Sequence, residues 1–198
     1  MHLLLVPFAL LALVAAFAPL NRIDVALSLA AQRATVFDTL LRAVSFLGNR
    51  PQSIVLVLVV MAMVFAVGWR RDALFIGGSA SGAWLIYQAV QFLDPRTRPR
   101  PPIHLAESFN GPSFPSGHLM NYMALFAFLI IVVRHRMAPS LARPAIVAAL
   151  AAQLILVGPS RVYLGAHFTS DVLGGYLLGG WWVLVVGHFY ARPTVLSA

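Results

Sequence analysis

Residues 113–118 read Ser-Phe-Pro-Ser-Gly-His, and residues 160–171 read Ser-Arg-Val-Tyr-Leu-Gly-Ala-His-Phe-Thr-Ser-Asp. Each stretch lies at the end of a long hydrophobic run, where a very apolar sequence rarely keeps polar side chains without a use for them. Arginine, serine and histidine that meet at the ends of membrane helices favour an anion, such as a phosphoryl group. The two stretches therefore predict an anion site at one face of a helical membrane protein.

The composition sets the class of protein. Of the 198 residues, 60% are hydrophobic and 10% are charged, whereas a soluble domain has about a quarter charged residues. The chain has no cysteine, which excludes disulfides and thiolate metal sites. The net charge of +8 comes from arginines without any lysine. These arginines lie in short loops between apolar runs, which indicates membrane topology and anion binding rather than nucleic-acid binding.

Six apolar runs are long enough, or nearly so, to cross a bilayer of about 30 Å. They cover about 2–20, 51–69, 73–93, 116–133, 141–159 and 172–190. We therefore predict an all-α integral membrane protein, with six transmembrane helices in one bundle and a single domain over 1–198. The first run could also be a signal peptide, but it has no Lys or Arg before its apolar part, which favours a retained helix. Glycine pairs at 174–175 and 179–180 predict close helix packing.

Residues 21–47 are amphipathic. Seven apolar residues recur at spacings of three and four and lie on one helical face: Ile23, Leu27, Ala30, Ala34, Phe37, Leu41 and Val44. Five charged residues interrupt the run too often for a membrane span: Arg22, Asp24, Arg33, Asp38 and Arg42. The pattern predicts an interfacial helix over about 21–47, or two short ones with a second start near Thr35.

The arginines of the short loops predict the orientation. With six spans, one side of the membrane holds both termini and the loop arginines at 70, 71, 134, 136, 143 and 192. By the positive-inside rule that side is cytoplasmic, although the arginines at 22, 33, 42 and 50 weaken the bias. We expect a multi-pass protein of the inner (plasma) membrane. The 94–115 loop and the 160–170 connection would then face the extracytoplasmic side.

Three groups of residues are candidates for the site. Arg96, Arg98 and Arg100 alternate with prolines and form a rigid basic edge, which suits either phosphate oxygens or lipid headgroups. Ser116 and Gly117 open a helix whose unpaired N–H groups favour an anion, next to His118. Taken alone, that stretch is as consistent with a helix cap.

The third group follows the fifth apolar run. His167 and Asp171 are four residues apart, so a helical turn would place them on one face. The carboxylate could then hold one imidazole nitrogen as N–H and leave the other as a lone pair. Ser160 and Arg161 add anion ligands at the same face. A His/Asp metal pair is disfavoured, because the chain has a single glutamate and no second histidine cluster.

These motifs resemble those of the type 2 phosphatidic acid phosphatases, a family of membrane lipid phosphatases related to vanadium haloperoxidases. The family has the motifs Lys-x6-Arg-Pro, Pro-Ser-Gly-His and Ser-Arg-x5-His-x3-Asp. The second matches residues 115–118, and the third matches residues 160–171 at every spacing. The resemblance covers about residues 20–190. High hydropathy disfavours the soluble haloperoxidases.

The first motif departs from the family. With Arg98-Pro99 as its end, the lysine position holds Gln91; with Arg100-Pro101 it holds Leu93. We prefer Gln91, whose amide can still donate to a phosphate oxygen. Which of the three arginines lies nearest the phosphate stays open.

The resemblance implies hydrolysis of a phosphate or diphosphate ester without metal or cofactor. His167 would form a phosphohistidine, Asp171 would orient it, and His118 would protonate the leaving oxygen. The phosphate ligands would be Arg96, Arg98, Arg100, Ser116, Gly117, Arg161, Gln91 and Ser160. The expected partners are a lipid phosphate and the bilayer, with no nucleic acid; the oligomeric state is open.

Undecaprenyl diphosphate is the leading substrate, and phosphatidylglycerol phosphate, phosphatidate and a lipid A phosphate stay open. Two hypotheses come from other classes of protein. A non-catalytic phospholipid-binding or transport protein could keep the phosphate ligands, and the missing lysine is its only support. A purely structural bundle would not explain why the polar motif residues gather at one face.

Overall fold

The computed structural model describes residues 2–17, 21–94, 96–106 and 111–192. Within these residues every regular element is a helix, which confirms the predicted all-α class. The α-helices are α1 (Leu5–Phe17), α2 (Asn21–Ala31), α3 (Asp38–Phe46), α4 (Gln52–Ala66), α5 (Arg70–Leu93), α6 (Gly117–Tyr122), α7 (Phe128–Arg136), α8 (Ala142–Tyr163) and α9 (Thr169–Tyr190). A π-helical turn joins α6 and α7 into one continuous helix, Gly117–Arg136.

Four of these helices are long and apolar enough to cross a membrane: α5, the joined α6–α7, α8 and α9. The helices α1 and α4 are shorter, with 13 and 15 residues. At 1.5 Å per residue they reach only about 20 to 22 Å, against about 30 Å of hydrocarbon. The prediction of six spans therefore stays a prediction at these two helices. Residues 18–20 of the first predicted span lie outside the described residues.

The outer surface of the bundle is apolar. Leu74 and Leu85 of α5 are 71% and 60% exposed, and Ile155 of α8 is 69% exposed. A soluble protein rarely leaves so many large apolar side chains in contact with water. The buried positions include aspartates, serines and an arginine. This distribution is typical of a helix bundle whose outside contacts lipid and whose interior holds the polar groups.

Glycines of α9 let the helix α6–α7 approach closely, as the glycine pairs predict. A Cβ on Gly175 would lie 2.5 Å from Cβ of Leu119, and a Cβ on Gly179 would lie 2.8 Å from Cβ of Met123. Both distances are shorter than real contacts allow, so only glycine permits this packing. It brings two motifs together, since the N–H of Ser116 donates to the carbonyl of Asp171 at 3.1 Å.

The amphipathic stretch forms two helices rather than one. A 3₁₀ turn at Thr35–Phe37 separates α2 from α3, so the single helix over 21–47 is wrong and the alternative of two short helices is right. The two helices also differ in which side faces the interior of the bundle. In α3, Leu41 and Val44 are buried, whereas in α2 the buried side chains are Asp24 and Ser28. The reason is that Asp24 binds polar groups inside the bundle.

At the opposite end of the bundle a buried ion pair ties three helices together. Asp72 at the start of α5 accepts hydrogen bonds from Arg136 at the end of α7, the shortest at 2.7 Å, and from the hydroxyl of Tyr190 at the end of α9. Arg71 donates to the carbonyl of Tyr190 at 2.8 Å. The arginine-rich loops that we assigned to one side thus lie at one end of the molecule. The helix ends that bear the motifs lie at the other.

Candidate active site

A polar cavity of about 520 Å³ opens at the motif-bearing end. Six of the residues that the sequence predicts for the site line it: His118, His167, Arg98, Arg161, Gly117 and Gln91. They come from four segments that are distant in the sequence: the end of α5 and the loop after it, the start of α6, the end of α8, and the connection to α9. The fold therefore assembles these residues into one site.

His167 lies in the short connection between α8 and α9 and is 2% exposed. Its Nε2 lies 3.3 Å from Nη1 of Arg98. Because a guanidinium has only donors, Nε2 must be the unprotonated nitrogen and Nδ1 carries the hydrogen. Nδ1 lies 3.6 Å from Oδ2 of Asp171, slightly beyond hydrogen-bonding distance. The imidazole thus directs a lone pair to the cavity side and its N–H towards a carboxylate.

Burial lowers the pKa of His167 to about 4, although Asp171 acts in the opposite direction. The imidazole is therefore neutral at pH 7, which a nucleophile requires, because only the unprotonated nitrogen has a lone pair to share.

Asp171 is fully buried in the first turn of α9. Its Oδ2 accepts the N–H of Phe168 at 2.9 Å and the hydroxyl of Ser113, and its Oδ1 accepts Nη1 of Arg96 at 2.6 Å. These contacts hold the carboxylate in one orientation. Asp171 therefore supports His167 from behind and does not line the cavity itself.

Two of the three arginines that line the cavity, Arg98 and Arg161, are ones that the motifs predict. Arg98 donates through Nη1 to the carbonyl of Ala166 at 2.8 Å and through Nε to the carbonyl of Gly111 at 3.1 Å. Arg161 is 1% exposed and donates to the hydroxyl of Ser45. Arg98 is half-buried and Arg161 is buried, and the forked donors of a guanidinium match the oxygens of a phosphate group. The cavity is therefore suited to a phosphate-like ligand.

His118 faces the turn between α3 and α4. Its Nε2 lies 3.0 Å from Oδ1 of Asn49, an acceptor, so Nε2 carries a hydrogen in this arrangement. A Cβ on Gly48 would lie 2.3 Å from Cδ2 of the same imidazole. The α3–α4 turn therefore fixes the ring of His118, and residues of the turn line the cavity together with it.

Arg96, Arg100 and Ser160 do not line the cavity. Arg96 binds carboxylates, Arg100 is exposed, and the hydroxyl of Ser160 donates to the carbonyl of Val157 at 2.7 Å within its own helix. Arg96 and Ser160 thus have nearer partners than a ligand in the cavity. The prediction of Arg96, Arg100 and Ser160 as phosphate ligands stays a prediction, and this geometry does not favour it.

Ser116 does not line the cavity either, although Gly117 beside it does. Its side chain is fully buried, and its hydroxyl has no hydrogen-bond partner among the described residues. It lies directly before Gly117, where the ring of Tyr87 packs so closely that a Cβ would meet it at 2.9 Å. The glycine at 117 thus makes room for Tyr87 in this structure.

The structure bears on the register of the first motif. Gln91 lines the cavity and donates to the carbonyl of Pro112 at 2.8 Å, whereas Leu93 is 78% exposed. This geometry favours the register that places Gln91 at the lysine position, and the role of Gln91 stays a prediction.

Sequence reasoning missed part of the cavity wall. Trp84, Tyr87 and Gln88 line it together with Gln91. Their spacing of three, four and seven residues places them on one face of α5, so a polar and aromatic stripe on an apolar helix was the available signal. Asn49, Arg50, Gln52 and Asn121 also line the cavity, and no spacing relates them to the motifs.

An apolar groove of about 680 Å³ lies next to the polar cavity. Side chains of α4, α5 and the α6–α7 helix line it, among them Val57, Leu85 and Phe126. Arg50, Trp84 and Asn121 line both spaces. The two spaces are therefore neighbours, and a molecule with a polar head and an apolar tail could occupy both.

Across the ranges of the chain that the structure describes, no three histidine, aspartate or glutamate side chains gather in a group that could hold a metal ion. The chemical groups of the cavity are imidazoles, guanidiniums and amides.

Comparisons with known proteins agree with this geometry. The PAP2 superfamily model matches residues 85–194, more than half of the chain. The solved structure of a transmembrane PAP2-type phosphatidylglycerolphosphate phosphatase from Bacillus subtilis covers 99% of this chain and 100% of its own, with a TM-score of 0.87 and 26% identity. The fold and the cavity thus define a multi-pass membrane protein of the PAP2 type.

The chain belongs to the PAP2 superfamily, as the motifs indicate. Two curated relatives match shorter stretches. Lipid A 1-phosphatase of Rhizobium etli is 40% identical over 85 residues, which are 42% of this chain and 32% of the relative. Phosphatidylglycerophosphatase B of Bacillus subtilis is 43% identical over 68 residues, which are 34% of each chain. The matches thus span about a third of the curated relatives' length.

Proposed function

We propose that this protein is a membrane lipid phosphatase that works without a metal ion and uses His167 as its nucleophile. One observation carries the proposal: the unprotonated Nε2 of a neutral, buried imidazole borders a cavity with two guanidiniums in its wall. A lone pair beside fixed positive charge is the arrangement that in-line attack on a phosphoryl group needs.

The proposed reaction has two steps. In the first, Nε2 of His167 bonds to phosphorus while the bond from phosphorus to the lipid oxygen breaks, and His118 gives its proton to that oxygen. In the second, a water molecule attacks the phosphohistidine, His118 takes a proton from the water, and the P–N bond breaks to release phosphate. Asp171 stabilises the positive charge that His167 acquires during the first step.

Arg98 and Arg161 are the proposed ligands of the equatorial oxygens, because both line the cavity and both belong to the motifs. The N–H of Gly117 and the amide of Gln91 are further donors at the wall. In comparable oxyanion sites one such donor contributes about 2.7–4 kcal/mol to catalysis. Gln91 would contribute less than the family lysine, since its amide is neutral.

The substrate is proposed to be a lipid whose tail lies in the apolar groove and whose phosphate lies beside His167. The names of the relatives favour phosphatidylglycerol phosphate and lipid A phosphates. Undecaprenyl diphosphate, the leading substrate from the sequence, and phosphatidate are also compatible with the groove. A panel of these four lipids separates the candidates.

The test is phosphate release by purified protein in detergent with EDTA, measured on each of the four lipids. We expect release that chelation does not reduce, fastest with one lipid of the panel. Loss of activity with EDTA that zinc or magnesium restores would exclude the metal-independent mechanism. Absence of release from all four, in a folded protein, would exclude this substrate class.

Arg50 is expected to favour lipids with a second phosphate. It lies where the polar cavity meets the groove, so the part of a lipid between its terminal phosphate and its tail passes it. In phosphatidylglycerol phosphate and undecaprenyl diphosphate that part is an anion; in phosphatidate it is uncharged. We expect Arg50→Gln to lower kcat/KM about tenfold for the first two lipids, on the order of one exposed charge-assisted contact, with little change for phosphatidate.

Arg33→Gln, which removes an exposed arginine of the same end of the bundle, is the matched control. Equal losses on all the lipids, or none, would exclude this role of Arg50.

We further propose that α1 and α4 complete a six-span bundle in the inner membrane, with the cavity at the extracytoplasmic end. The loop arginines at the opposite end support this orientation. Since the chain has no cysteine, single cysteines can report it. A membrane-impermeant maleimide should label Arg100→Cys in spheroplasts and should label Ser140→Cys only after lysis. The reverse pattern would invert the topology.

A further inference from the structure

A second buried carboxylate lies behind the proposed site. Nη2 of Arg96 lies 2.7 Å from Oδ2 of Asp24, and Nη1 of the same guanidinium lies 2.6 Å from Oδ1 of Asp171. The side chains of Asp24, Arg96 and Asp171 are 4%, 7% and 0% exposed, respectively. Arg96 thus bridges α2 and α9, and the bridge ends at the carboxylate next to His167.

Asp24 also holds the first turn of α9 directly. Its Oδ1 accepts the N–H of Ser170 at 3.0 Å, and its Oδ2 accepts the hydroxyl of Ser170. The guanidinium of Arg96 lies over the ring of Phe168 at 4.8 Å. The residue before Asp171 and the residue after His167 are therefore both in contact with this network. The network can set both the position and the charge of the His167–Asp171 pair.

The charges decide what Asp24 adds. Arg96 and Asp171 alone would form a neutral pair, and a neutralised carboxylate is a weaker partner for an imidazole that becomes positive. With Asp24 the group has two negative charges and one positive, so it keeps one net negative charge. On the cavity side, Arg98 and Arg161 are the positive charges that act on His167. The extra carboxylate offsets part of this positive charge.

One further charged group lies nearby. Asp94 accepts the backbone N–H of Arg96 at 3.1 Å, and it does not bind the guanidinium. Asp94 also interacts electrostatically with Arg96 and Asp171. Arg96→Gln therefore removes a positive charge near both carboxylates, while Asp94 itself is kept in all the variants below.

We infer that Asp24 is a positioning residue of the proposed phosphatase site: by sharing Arg96 with Asp171, it keeps a net negative charge behind His167. The inference rests on the proposed function of His167. Asp24 lies outside residues 85–194, the part of the chain that the family model matches. A purely structural role, in which the ion pairs only hold α2 against α9, is the alternative.

Charge counting separates the two roles. Asp24→Asn leaves Arg96 and Asp171 as a neutral pair. Asp24→Asn combined with Arg96→Gln leaves Asp171 as the only charge of the three and so restores one net negative charge. Two amides can also keep part of the hydrogen bonding. The charge role therefore predicts that the second change rescues the first, whereas a structural role predicts that the losses add.

The experiment measures kcat, KM and orthovanadate affinity for the wild type, Asp24→Asn and the double variant. Asp38→Asn is the matched control, because Asp38 binds the exposed Arg42. We expect Asp24→Asn to lower kcat about tenfold with an unchanged KM, and to weaken vanadate binding by a similar factor, on the order of one charge interaction. The kcat and the vanadate affinity of the double variant should be within about threefold of the wild-type values.

A double variant no better than Asp24→Asn, or a change in KM alone, would overturn the inference. If Asp24→Asn does not fold, the double variant decides by the same threefold criterion. His167→Ala is measured in parallel. A wild type that releases no phosphate from any lipid refutes the proposed function instead. In that case vanadate calorimetry on the same variants still tests the charge effect: equal affinities for wild type and Asp24→Asn would overturn it.

Discussion

Replacing His167 with alanine is expected to reduce phosphate release by a factor of at least about 10⁴, since removal of a nucleophile leaves only the contribution of binding and electrostatics. The imidazole of His167 supplies the lone pair that attacks phosphorus, and guanidiniums and amides, which make up much of the rest of the cavity wall, are poor nucleophiles at pH 7. In the proposed reaction His118 transfers the proton and does not attack phosphorus. KM should change little, since Arg98 and Arg161 remain.

The variant is expected to fold, because the side chain of Asp171 keeps its contacts with Arg96, Ser113 and Phe168. The matched control is His104→Ala, which removes an exposed imidazole from the loop after α5. Phosphate release in EDTA and the thermal unfolding temperature are measured for both variants. Near-normal release from His167→Ala would exclude the nucleophilic role. If the unfolding temperature of His167→Ala falls well below those of the wild type and of His104→Ala, the loss of phosphate release is attributed to unfolding instead.

Replacing Arg96 with glutamine is expected to destabilise the protein by about 3–5 kcal/mol, the usual cost of removing one partner from a buried ion pair. Asp24 and Asp171 would then face each other in the interior with only amide and hydroxyl donors between them. Two buried carboxylates without a cation repel each other and lack solvation. The effect should therefore exceed that of losing one hydrogen bond.

Arg100→Gln is the control for this prediction, because Arg100 is exposed in the same loop and changes the net charge equally. Unfolding temperatures in one detergent compare the two variants. An unfolding temperature of Arg96→Gln equal to that of the control would show that the network does not stabilise the fold. Adding Asp24→Asn to Arg96→Gln should recover much of the lost stability, since it removes one of the two facing charges.

Much of the site could be predicted because motif spacing specifies local geometry. His167 and Asp171 are close along the chain, so a single turn brings them together in any helical fold. The cavity also contains His118, Arg98 and Arg161, which the motifs marked. The arginines at 96, 98 and 100 are a different case. They alternate within one loop, and only the path of that loop decides that Arg98 faces the cavity while Arg96 binds two carboxylates.

The two short helices show the same limit. The periodicity of residues 21–47 shows that the apolar side chains share one face, but it does not show which element that face contacts. Periodicity alone therefore does not decide which side of the helix faces the bundle. The buried ion pair of Asp24 turns the polar side of α2 inward, whereas Leu41 and Val44 of α3 pack inside. In a membrane protein both directions are possible, because the outside of the bundle is apolar as well.

The sequence by itself determined the helical membrane class, the identity of the motif residues and the close packing at the α9 glycines, since hydropathy, local spacing and the absence of a side chain are properties of the chain. Only the tertiary structure decided which arginine meets the cavity, that α2 contributes a carboxylate behind Asp171, and that an apolar groove adjoins the polar cavity. These features depend on contacts between segments more than seventy residues apart, such as Asp24 with Arg96 and Ser170. No local pattern records such contacts, because they arise from how the helices pack.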